Sequence, residues 1–331
     1  MAKVYYDKDA RLSDLKNEKV AIIGYGIQGR NQALNMRDSG INVLIGNIKD
    51  RYSPQVAKDG FKLLSPAEAA RLGTIIYMLI PDDAQEYMYN NYIRDNLAKG
   101  KALVFAHGFS IRYKRIITPK NIDVMLMAPR MPGKQIREYF LKGRGAPVFV
   151  GIEQDYTHRA KKRVLAMAKA IGATRMGALE VSFKEETEVD HFIEHFLLPV
   201  IVRAIRVSYD ALVEAGYSKE VALLETYASG EIGELLLGAT KVGLYKVFQN
   251  NTSPTAQFGM AYYAKRVFPD SQKKMIRKIL RKIKNGTFAR ILKEEGRSGY
   301  RHLKKTVSEN NSSDLMQTHE RLRNTFKFYQ D

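Results

Sequence analysis

The sequence contains neither cysteine nor tryptophan among its 331 residues. Without cysteine the chain can form no disulfide, no thiolate metal site and no cysteine nucleophile. It also has no run of about 18 uncharged apolar residues, which is the length that a membrane-spanning helix needs. The N-terminal stretch lacks the apolar segment of a signal peptide. These absences favour a cytoplasmic protein.

The charge of the chain is high and unevenly distributed. The formal net charge is +19, and residues 265–305 hold 15 Lys and Arg against three Asp and Glu. Basic and apolar residues alternate at helical spacing from Lys273 to Lys284, which predicts an amphipathic helix. A basic face can attract nucleic acid, and a nucleic-acid-binding or regulatory protein is therefore one alternative. No aromatic platform or recognition motif accompanies these charges, so we interpret them as the solvated face of a packed helix and do not expect nucleic acid as a partner.

The first half of the chain alternates short apolar runs with helical patterns, and its length predicts about two domains in all. Continuous apolar runs are typical of strands that helices cover on both faces, so we expect a Rossmann-type parallel α/β sheet. The predicted strands are Lys19–Gly24, Ile41–Gly46, Thr74–Ile80, Ala102–Ala106, Val124–Ala128 and Pro147–Gly151. Two predicted helices between them are Ile27–Asp38 and Pro66–Leu72.

After about Val181 the strand-like runs end and helical periodicity continues. The pattern predicts a dinucleotide-binding domain over residues 1–181 and an all-α domain over residues 182–327, packed closely together. The predicted helical stretches of the second domain are Glu185–Ala215, Lys219–Leu237, Thr255–Val267 and Ser271–Lys284.

A glycine-rich motif directly follows the first long predicted strand and opens a helix. In this position glycines allow a tight turn, give room for a pyrophosphate and let the helix approach the strand. The free N–H groups of the helix N-terminus then face the phosphates. The motif predicts dinucleotide binding and consists of Gly24, Tyr25, Gly26, Ile27, Gln28 and Gly29.

The end of the next predicted strand bears on which nicotinamide cofactor fits. Lys49, Arg51 and Ser53 suit the 2′-phosphate of NADP, whereas Asp50 favours the ribose hydroxyls of NAD. Asp50 comes a few residues late for that contact, so we expect NADP.

An acidic stretch lies at the start of the helical domain. Asp190 and Glu194 are four residues apart on a predicted helix, so both carboxylates project from one face. Oxygen ligands on a rigid helix suit Mg²⁺, and Glu225 and Glu231 offer further carboxylates. A solvated acidic helix face is the alternative. His191 and His195 form a second pair at the same spacing.

Seven motifs in order resemble those of the ketol-acid reductoisomerase (acetohydroxy-acid isomeroreductase) family, in its short class with a single knotted domain. The resemblance runs from about Val4 to Lys305. The motifs are GYGIQG at Gly24–Gly29, PDDAQ at Pro81–Gln85, AHGF at Ala106–Phe109, APRMPG at Ala128–Gly133, FKEETEVDHFIEH at Phe183–His195, LVEAGY at Leu212–Tyr217 and SPTAQFG at Ser253–Gly259.

The resemblance implies a Rossmann-type domain followed by a knotted all-α domain. It also implies conversion of 2-acetolactate or 2-aceto-2-hydroxybutyrate to 2,3-dihydroxy acids, in the biosynthesis of valine, leucine and isoleucine. Two Mg²⁺ ions would promote an alkyl migration, and NADPH would supply a hydride.

Site residues follow from the resemblance position by position. Asp190 resembles a carboxylate that bridges both metals, and Glu194 a ligand of one. Glu225, with Glu231, resembles acids that the neighbouring subunit donates, so the sites are expected to be shared in a homodimer or larger homo-oligomer. Ser253 resembles a neighbour's serine that holds the substrate carboxylate. Further expected contacts are His107 beside the nicotinamide, and Asp82, Asp83, Ala84, Gln85 and Gly133 on the cofactor.

Three positions depart from the usual family pattern. Arg130 replaces a lysine, so charge stabilisation is retained but proton transfer is not expected near neutral pH. Ser229 and Gly230 are inserted before Glu231, and we expect them to bulge the helix so that Glu231 reaches the site. His195 replaces a glutamine. A paralogue with weakened activity, or another Rossmann-plus-helical NADP-dependent reductase that uses a lysine and no metal, remains an alternative.

Overall fold

The computed structural model describes residues 2–326, and the residue-327 end of the predicted second domain lies outside them. These residues fall into two compact units divided between Asp190 and His191. The first unit contains a sheet of nine strands, β1 to β9. They are Val4–Tyr5, Lys19–Ile23, Asn42–Gly46, Leu63–Leu64, Ile75–Met78, Ala102–Phe105, Asp123–Pro129, Val148–Gln154 and Ala178–Glu180.

The α-helices, α1 to α17, begin in the first unit and make up the second. They are Ile27–Asp38, Ser53–Lys58, Pro66–Leu72, Asp82–Met88, Phe109–Arg112, Gly133–Leu141, Ala160–Ala170, Phe183–Phe192, Leu198–Glu214, Lys219–Leu223, Glu231–Val242, Leu244–Asn251, Pro254–Val267, Lys273–Lys284, Thr287–Arg297, Arg301–Asn311 and Asp314–Thr325. None of the helices within residues 2–326 is long and apolar enough to cross a membrane.

The strand order of the sheet is β1-β9-β8-β7-β6-β5-β2-β3-β4. Strands β2 to β7 run parallel to one another, which confirms the predicted parallel core. The sheet is not parallel throughout, because β8 pairs antiparallel with β7 and β1 pairs antiparallel with β9. The order reverses direction at β2, between β3 and β5. Such a switch point opens a crevice at the carboxyl ends of the strands, where α/β proteins bind ligands.

Alternate residues of the central strands enter two separate apolar cores, one on each face of the sheet. Val20 and Ile22 belong to one core, and Ala21 and Ile23 belong to the other. All four are fully buried. This double burial explains why the strands read as continuous apolar runs in the sequence.

The second unit is helical throughout its described residues, as predicted. Its core is small: Tyr209, Leu223 and Leu322 are among the few large side chains buried there. The basic helix α14 has Ile283 on its buried side, while its lysines and arginines are exposed. That arrangement confirms the predicted amphipathic helix.

Candidate active site

The glycine-rich turn between β2 and α1 is tight and leaves space beside the helix N-terminus. Gly24 has a φ of 103°, which a residue with a side chain rarely adopts. A Cβ on Gly29 would lie 2.0 Å from the carbonyl oxygen of Gly24, so only glycine permits this approach of helix to strand. A Cβ on Gly26 would meet no atom within 4 Å. The turn therefore fits a dinucleotide pyrophosphate.

The side chains of Tyr25 and Gln28 in this motif are engaged in hydrogen bonds within the protein. Tyr25 is buried, and its hydroxyl donates to Asp59 Oδ2 at 2.9 Å. Arg30 pairs with the same carboxylate at 2.6 Å, and this hydrogen bond lowers the pKa of Asp59 to about 2. Gln28 Nε2 donates to the carbonyl oxygen of Met131 at 3.1 Å. At these two positions the backbone is what remains to contact a cofactor.

Gly133 begins α6 and packs against the first turn of α1. A Cβ on Gly133 would lie 2.4 Å from the carbonyl oxygen of Ile27, so a larger residue would push the two helices apart. The side chain of Ile27 is itself exposed. The motif glycine at 133 and the glycine-rich turn thus meet at the cofactor crevice.

The loop after β3 is held together by its own acid. Asp50 Oδ1 accepts hydrogen bonds from Asn47 Nδ2 at 3.0 Å and from the backbone N–H of Tyr52 at 2.8 Å. The backbone N–H of Asp50 donates to Ser53 Oγ at 2.9 Å. Asp50 therefore shapes the loop from within.

The cations of this loop are exposed. Lys49 and Arg51 are both exposed, and the Arg51 guanidinium lies 4.8 Å from the centre of the Tyr52 ring. The Ser53 hydroxyl donates to the carbonyl oxygen of Ile48 at 3.0 Å. Positive charge on the loop surface is thus supplied by Lys49 and Arg51, on either side of the exposed Asp50.

His107 is oriented by a carboxylate from the next motif. Its Nδ1 lies 2.6 Å from Asp82 Oδ2, at the first residue of α4. Asp82 Oδ1 also accepts a hydrogen bond from Gln85 Nε2 at 3.0 Å. Gln85 therefore holds Asp82 in the position in which it orients His107. Asp83 and Ala84 complete the same helical turn. Asp82 is expected as a cofactor contact, and in the structure it is the partner of His107.

Two acids of α8 meet His107 and Arg130. Arg130 follows β7 and donates to Asp190 Oδ1 through one guanidinium nitrogen and to Glu186 Oε1, 3.4 Å away, through another. His107 Nε2 lies 3.7 Å from Asp190 Oδ2. Ligand atoms of His107, Glu186 and Asp190 lie within 4.8 Å of one another, close enough to hold one metal ion. Carboxylate oxygens are ligands that a hard cation such as Mg²⁺ prefers, so this cluster is a candidate cation site.

Glu186 was missed by the sequence reasoning. It is buried, and its Oε2 accepts the backbone N–H of Gly108 at 2.8 Å. Burial raises the pKa of Glu186 above its ordinary value, although the charge of His107, the Gly108 hydrogen bond and Arg130 oppose the shift. Its position four residues before Asp190 on the same helix was the signal that could have revealed it.

In the second unit, Glu194 lies exposed in a single π-helical turn, Ile193–Leu197. Its carboxylate and the two histidines His191 and His195 have ligand atoms within 4.8 Å of one another. The ring of His195 also packs on Phe288, with centroids 3.9 Å apart. π-helical turns are rare and frequently occur at functional sites.

The helix before Glu231 bulges, as expected, and is also interrupted. A π-helical turn, Leu224–Ala228, carries Glu225 and ends at Ser229. Gly230 then takes a left-handed conformation, with φ 82°, and α11 begins at Glu231. The predicted stretch Lys219–Leu237 is thus three segments, and both acids are exposed.

Ser253 is the N-cap of α13, and its Oγ accepts the backbone N–H of Ala256 at 3.2 Å. Within the part of the chain that the structure describes, no hydrogen bond or ion pair joins Glu225, Glu231 and Ser253 to one another.

Comparison with known proteins identifies the family. Residues 14–177 match the family model "Acetohydroxy acid isomeroreductase, NADPH-binding domain", and residues 183–328 match "Ketol-acid reductoisomerase, C-terminal domain". The chain belongs to the ketol-acid reductoisomerase family. The ketol-acid reductoisomerase (NADP(+)) of Clostridioides difficile is 40% identical over 330 residues, which are 99% of each chain. That of Sulfurisphaera tokodaii is 42% identical over 302 residues, 90% of each chain.

A solved ketol-acid reductoisomerase has the same fold as this chain. It is described as an NADH-preferring enzyme from an uncultured archean and superposes with a TM-score of 0.94 at 33% identity. The match covers 98% of this chain and 99% of that one. The sequence motifs and the arrangement of the sheet and helices thus lead to the same family.

Proposed function

We propose that the chain is a ketol-acid reductoisomerase that uses NADPH and Mg²⁺. Its substrates are 2-acetolactate and 2-aceto-2-hydroxybutyrate, and its products are the 2,3-dihydroxy acids on the route to the branched-chain amino acids valine and isoleucine. The observation that carries the proposal is the cluster of Asp190, Glu186 and His107. It lies in the same unit as a glycine-rich turn that fits a dinucleotide.

The cofactor is NADPH, held by the glycine-rich turn and by the loop after β3. Asp50 Oδ1 is engaged in hydrogen bonds within the loop, and the exposed Lys49 and Arg51 would meet the 2′-phosphate with Ser53. Asp82, Asp83, Ala84, Gln85 and Gly133 complete the cofactor contacts. The curated relatives are named for NADP, although the solved neighbour prefers NADH. Bound NADPH supplies the hydride.

Asp190, Glu194, Glu225 and Glu231 would hold two Mg²⁺ ions, with Asp190 as a ligand of both. Carboxylate oxygens are the ligands that Mg²⁺ prefers, and the metals polarise the keto and hydroxyl oxygens of the substrate when bound. His107, oriented by Asp82, would stand beside the nicotinamide, and Arg130 would offer a permanent positive charge to developing negative charge on oxygen. Ser253 holds the substrate carboxylate.

The active form is a homodimer or a larger homo-oligomer with shared sites, in which Glu225, Glu231 and Ser253 come from the neighbouring subunit. The second unit supports this assembly, because its helices expose many large apolar side chains that a second copy would cover. They include Ile201, Val202, Leu237, Tyr245 and Phe258. The proposal also includes two domains, a dinucleotide-binding domain over residues 1–181 and a knotted helical domain over residues 182–327. We place the protein in the cytoplasm, where amino-acid biosynthesis would require it.

The test is NADPH oxidation with 2-acetolactate, followed by identification of the product. We expect oxidation only when Mg²⁺ is present, with one 2,3-dihydroxy acid formed per NADPH. A chelator should stop the reaction and added Mg²⁺ should restore it. Oxidation that continues unchanged without a divalent metal would instead indicate a metal-independent reductase, and a folded chain with barely detectable turnover would indicate a weakened paralogue.

A further inference from the structure

The guanidinium of Arg130 contacts both carboxylates of the acidic cluster, Asp190 and Glu186. One of its guanidinium nitrogens donates to Asp190 Oδ1, and another lies 3.4 Å from Glu186 Oε1. The guanidinium also lies 5.0 Å from the centre of the Phe149 ring, and the backbone N–H of Arg130 donates to the carbonyl oxygen of Pro147. Arg130 is therefore held by a backbone hydrogen bond, by the contact of its guanidinium with the Phe149 ring and by two carboxylates.

The second oxygen of Asp190 also faces a nitrogen. Asp190 Oδ2 lies 3.7 Å from His107 Nε2, and the other ring nitrogen of His107 is held by Asp82. A metal ion held by Asp190 Oδ1 would have to displace the guanidinium of Arg130 from that oxygen. Because guanidinium keeps its proton throughout the physiological range, it cannot leave by becoming neutral, as an amine can.

We propose that Arg130 is a built-in competitor that sets the Mg²⁺ affinity of this site. When the metal arrives, the guanidinium withdraws from Asp190 and remains paired with the buried Glu186, so neither carboxylate is left without a counter-ion. The metal therefore binds against a resident positive charge, and its affinity is lower than the carboxylates alone would provide. The inference rests on the proposed function, which makes Asp190 the metal ligand.

The test is calorimetric titration of the full-length protein with MgCl₂, which needs no turnover. Arg130→Met should bind Mg²⁺ about tenfold more tightly or better, since removing a unit charge a few ångströms from a divalent ion is worth at least that at an effective dielectric constant of about 20. Arg130→Lys keeps the charge as a compact ammonium and should fall between the two. Arg112→Met is the matched control. Arg112, at the end of α5, pairs at 2.6 Å with Glu188, which lies on α8 as Glu186 and Asp190 do. This substitution should leave the Mg²⁺ affinity unchanged.

Unchanged or weaker Mg²⁺ binding in Arg130→Met, with a wild-type melting curve, would overturn the inference. If Arg130→Met does not fold, the Arg130→Lys titration decides in the same way, because equal or weaker affinity contradicts the competition. If the wild type shows no binding, a gain of binding in Arg130→Met supports the inference and its absence overturns it. Asp190→Asn is titrated alongside. Wild-type Mg²⁺ binding and activity in that variant would defeat the proposed function, whatever Arg130 does.

Discussion

Single residues of the site differ in how far the sequence revealed them. Asp190, His107 and Arg130 stand in recognisable motifs, and the structure brings all three together. Glu186 stands in the same acidic stretch, yet its neighbours in the sequence are equally acidic and only the fold shows that it is buried against Gly108. Spacing can reveal which residues share a helix face, but burial depends on what packs against that face.

A buried charge network outside the site illustrates the same limit. Arg163 donates to Glu18 at 2.8 Å and to Asp123 at 2.8 Å, and all three side chains are buried. Arg163→Met would remove the cation that pairs with the buried Asp123 and would leave Glu18 with the more distant, half-exposed Arg159. We expect a loss of about 3–5 kcal/mol in the free energy of unfolding, measured by urea denaturation.

Arg159→Met is the control for this prediction. Arg159 reaches Glu18 at 3.6 Å from a half-exposed position, so its loss should cost less than about 1 kcal/mol. Equal effects of the two substitutions would contradict the assigned network.

The long elements followed directly from sequence pattern, and the short ones did not. Six predicted strands correspond to β2, β3, β5, β6, β7 and β8, because each contains a short apolar run in the sequence. Strands of two or three residues, such as Val4–Tyr5, Leu63–Leu64 and Ala178–Glu180, carry too few apolar positions to show a pattern. The antiparallel direction of β8 was also missed, since apolar content does not encode strand direction.

The loop after β3 yields a prediction about the cofactor. A phosphate held by charge-assisted hydrogen bonds gains roughly 1.5–3 kcal/mol for each good contact. NADPH should therefore be preferred over NADH by about ten- to a hundredfold in KM. Changing Lys49 and Arg51 together to Asp should raise the KM for NADPH far more than that for NADH, because repulsion replaces attraction.

Steady-state kinetics with both cofactors check this prediction. Lys58→Asp, which reverses a charge at the far end of α2, is the control and should not change the preference. A wild-type KM for NADH equal to or below that for NADPH would refute the role of the loop cations.

The break between Ser229 and Glu231 yields a second prediction at this scale. Glu231 begins α11 directly after the left-handed Gly230, whereas Ser229 ends the preceding turn. Glu231→Gln should reduce turnover by about tenfold or more if Glu231 is a metal ligand, and Ser229→Ala should have little effect. A silent Glu231→Gln together with a damaging Ser229→Ala would assign the ligand position to Ser229.

At the scale of the whole molecule, the sequence predicted an α/β domain followed by a helical domain. It did not predict which surfaces of the helical domain would remain exposed. Helices of the second unit leave large apolar side chains exposed, among them Val202, Leu237 and Phe258. Their periodicity in the sequence is that of ordinary buried helix faces. The helical pattern could therefore predict amphipathic helices but not which of their apolar side chains stay exposed in the chain.

Shared sites predict complementation between two inactive variants. When Asp190→Asn and Glu225→Gln chains are mixed, each hybrid dimer contains one site with both changes and one intact site. Random exchange should then restore about a quarter of the wild-type activity. Absence of any rescue after confirmed subunit exchange would mean that each chain builds its own site.

The central claim is that Asp190 of α8 binds the metal on which turnover depends, and Asp190→Asn tests it most directly. NADPH oxidation with 2-acetolactate should be compared at saturating Mg²⁺ for the wild type and this variant, with NADPH affinity and melting temperature measured in parallel. We predict a loss of turnover greater than about 100-fold, since even residues that only support metal ligands cost about 10- to 100-fold, while cofactor affinity and melting temperature stay close to wild type. Undiminished Mg²⁺-dependent turnover in Asp190→Asn would contradict the account.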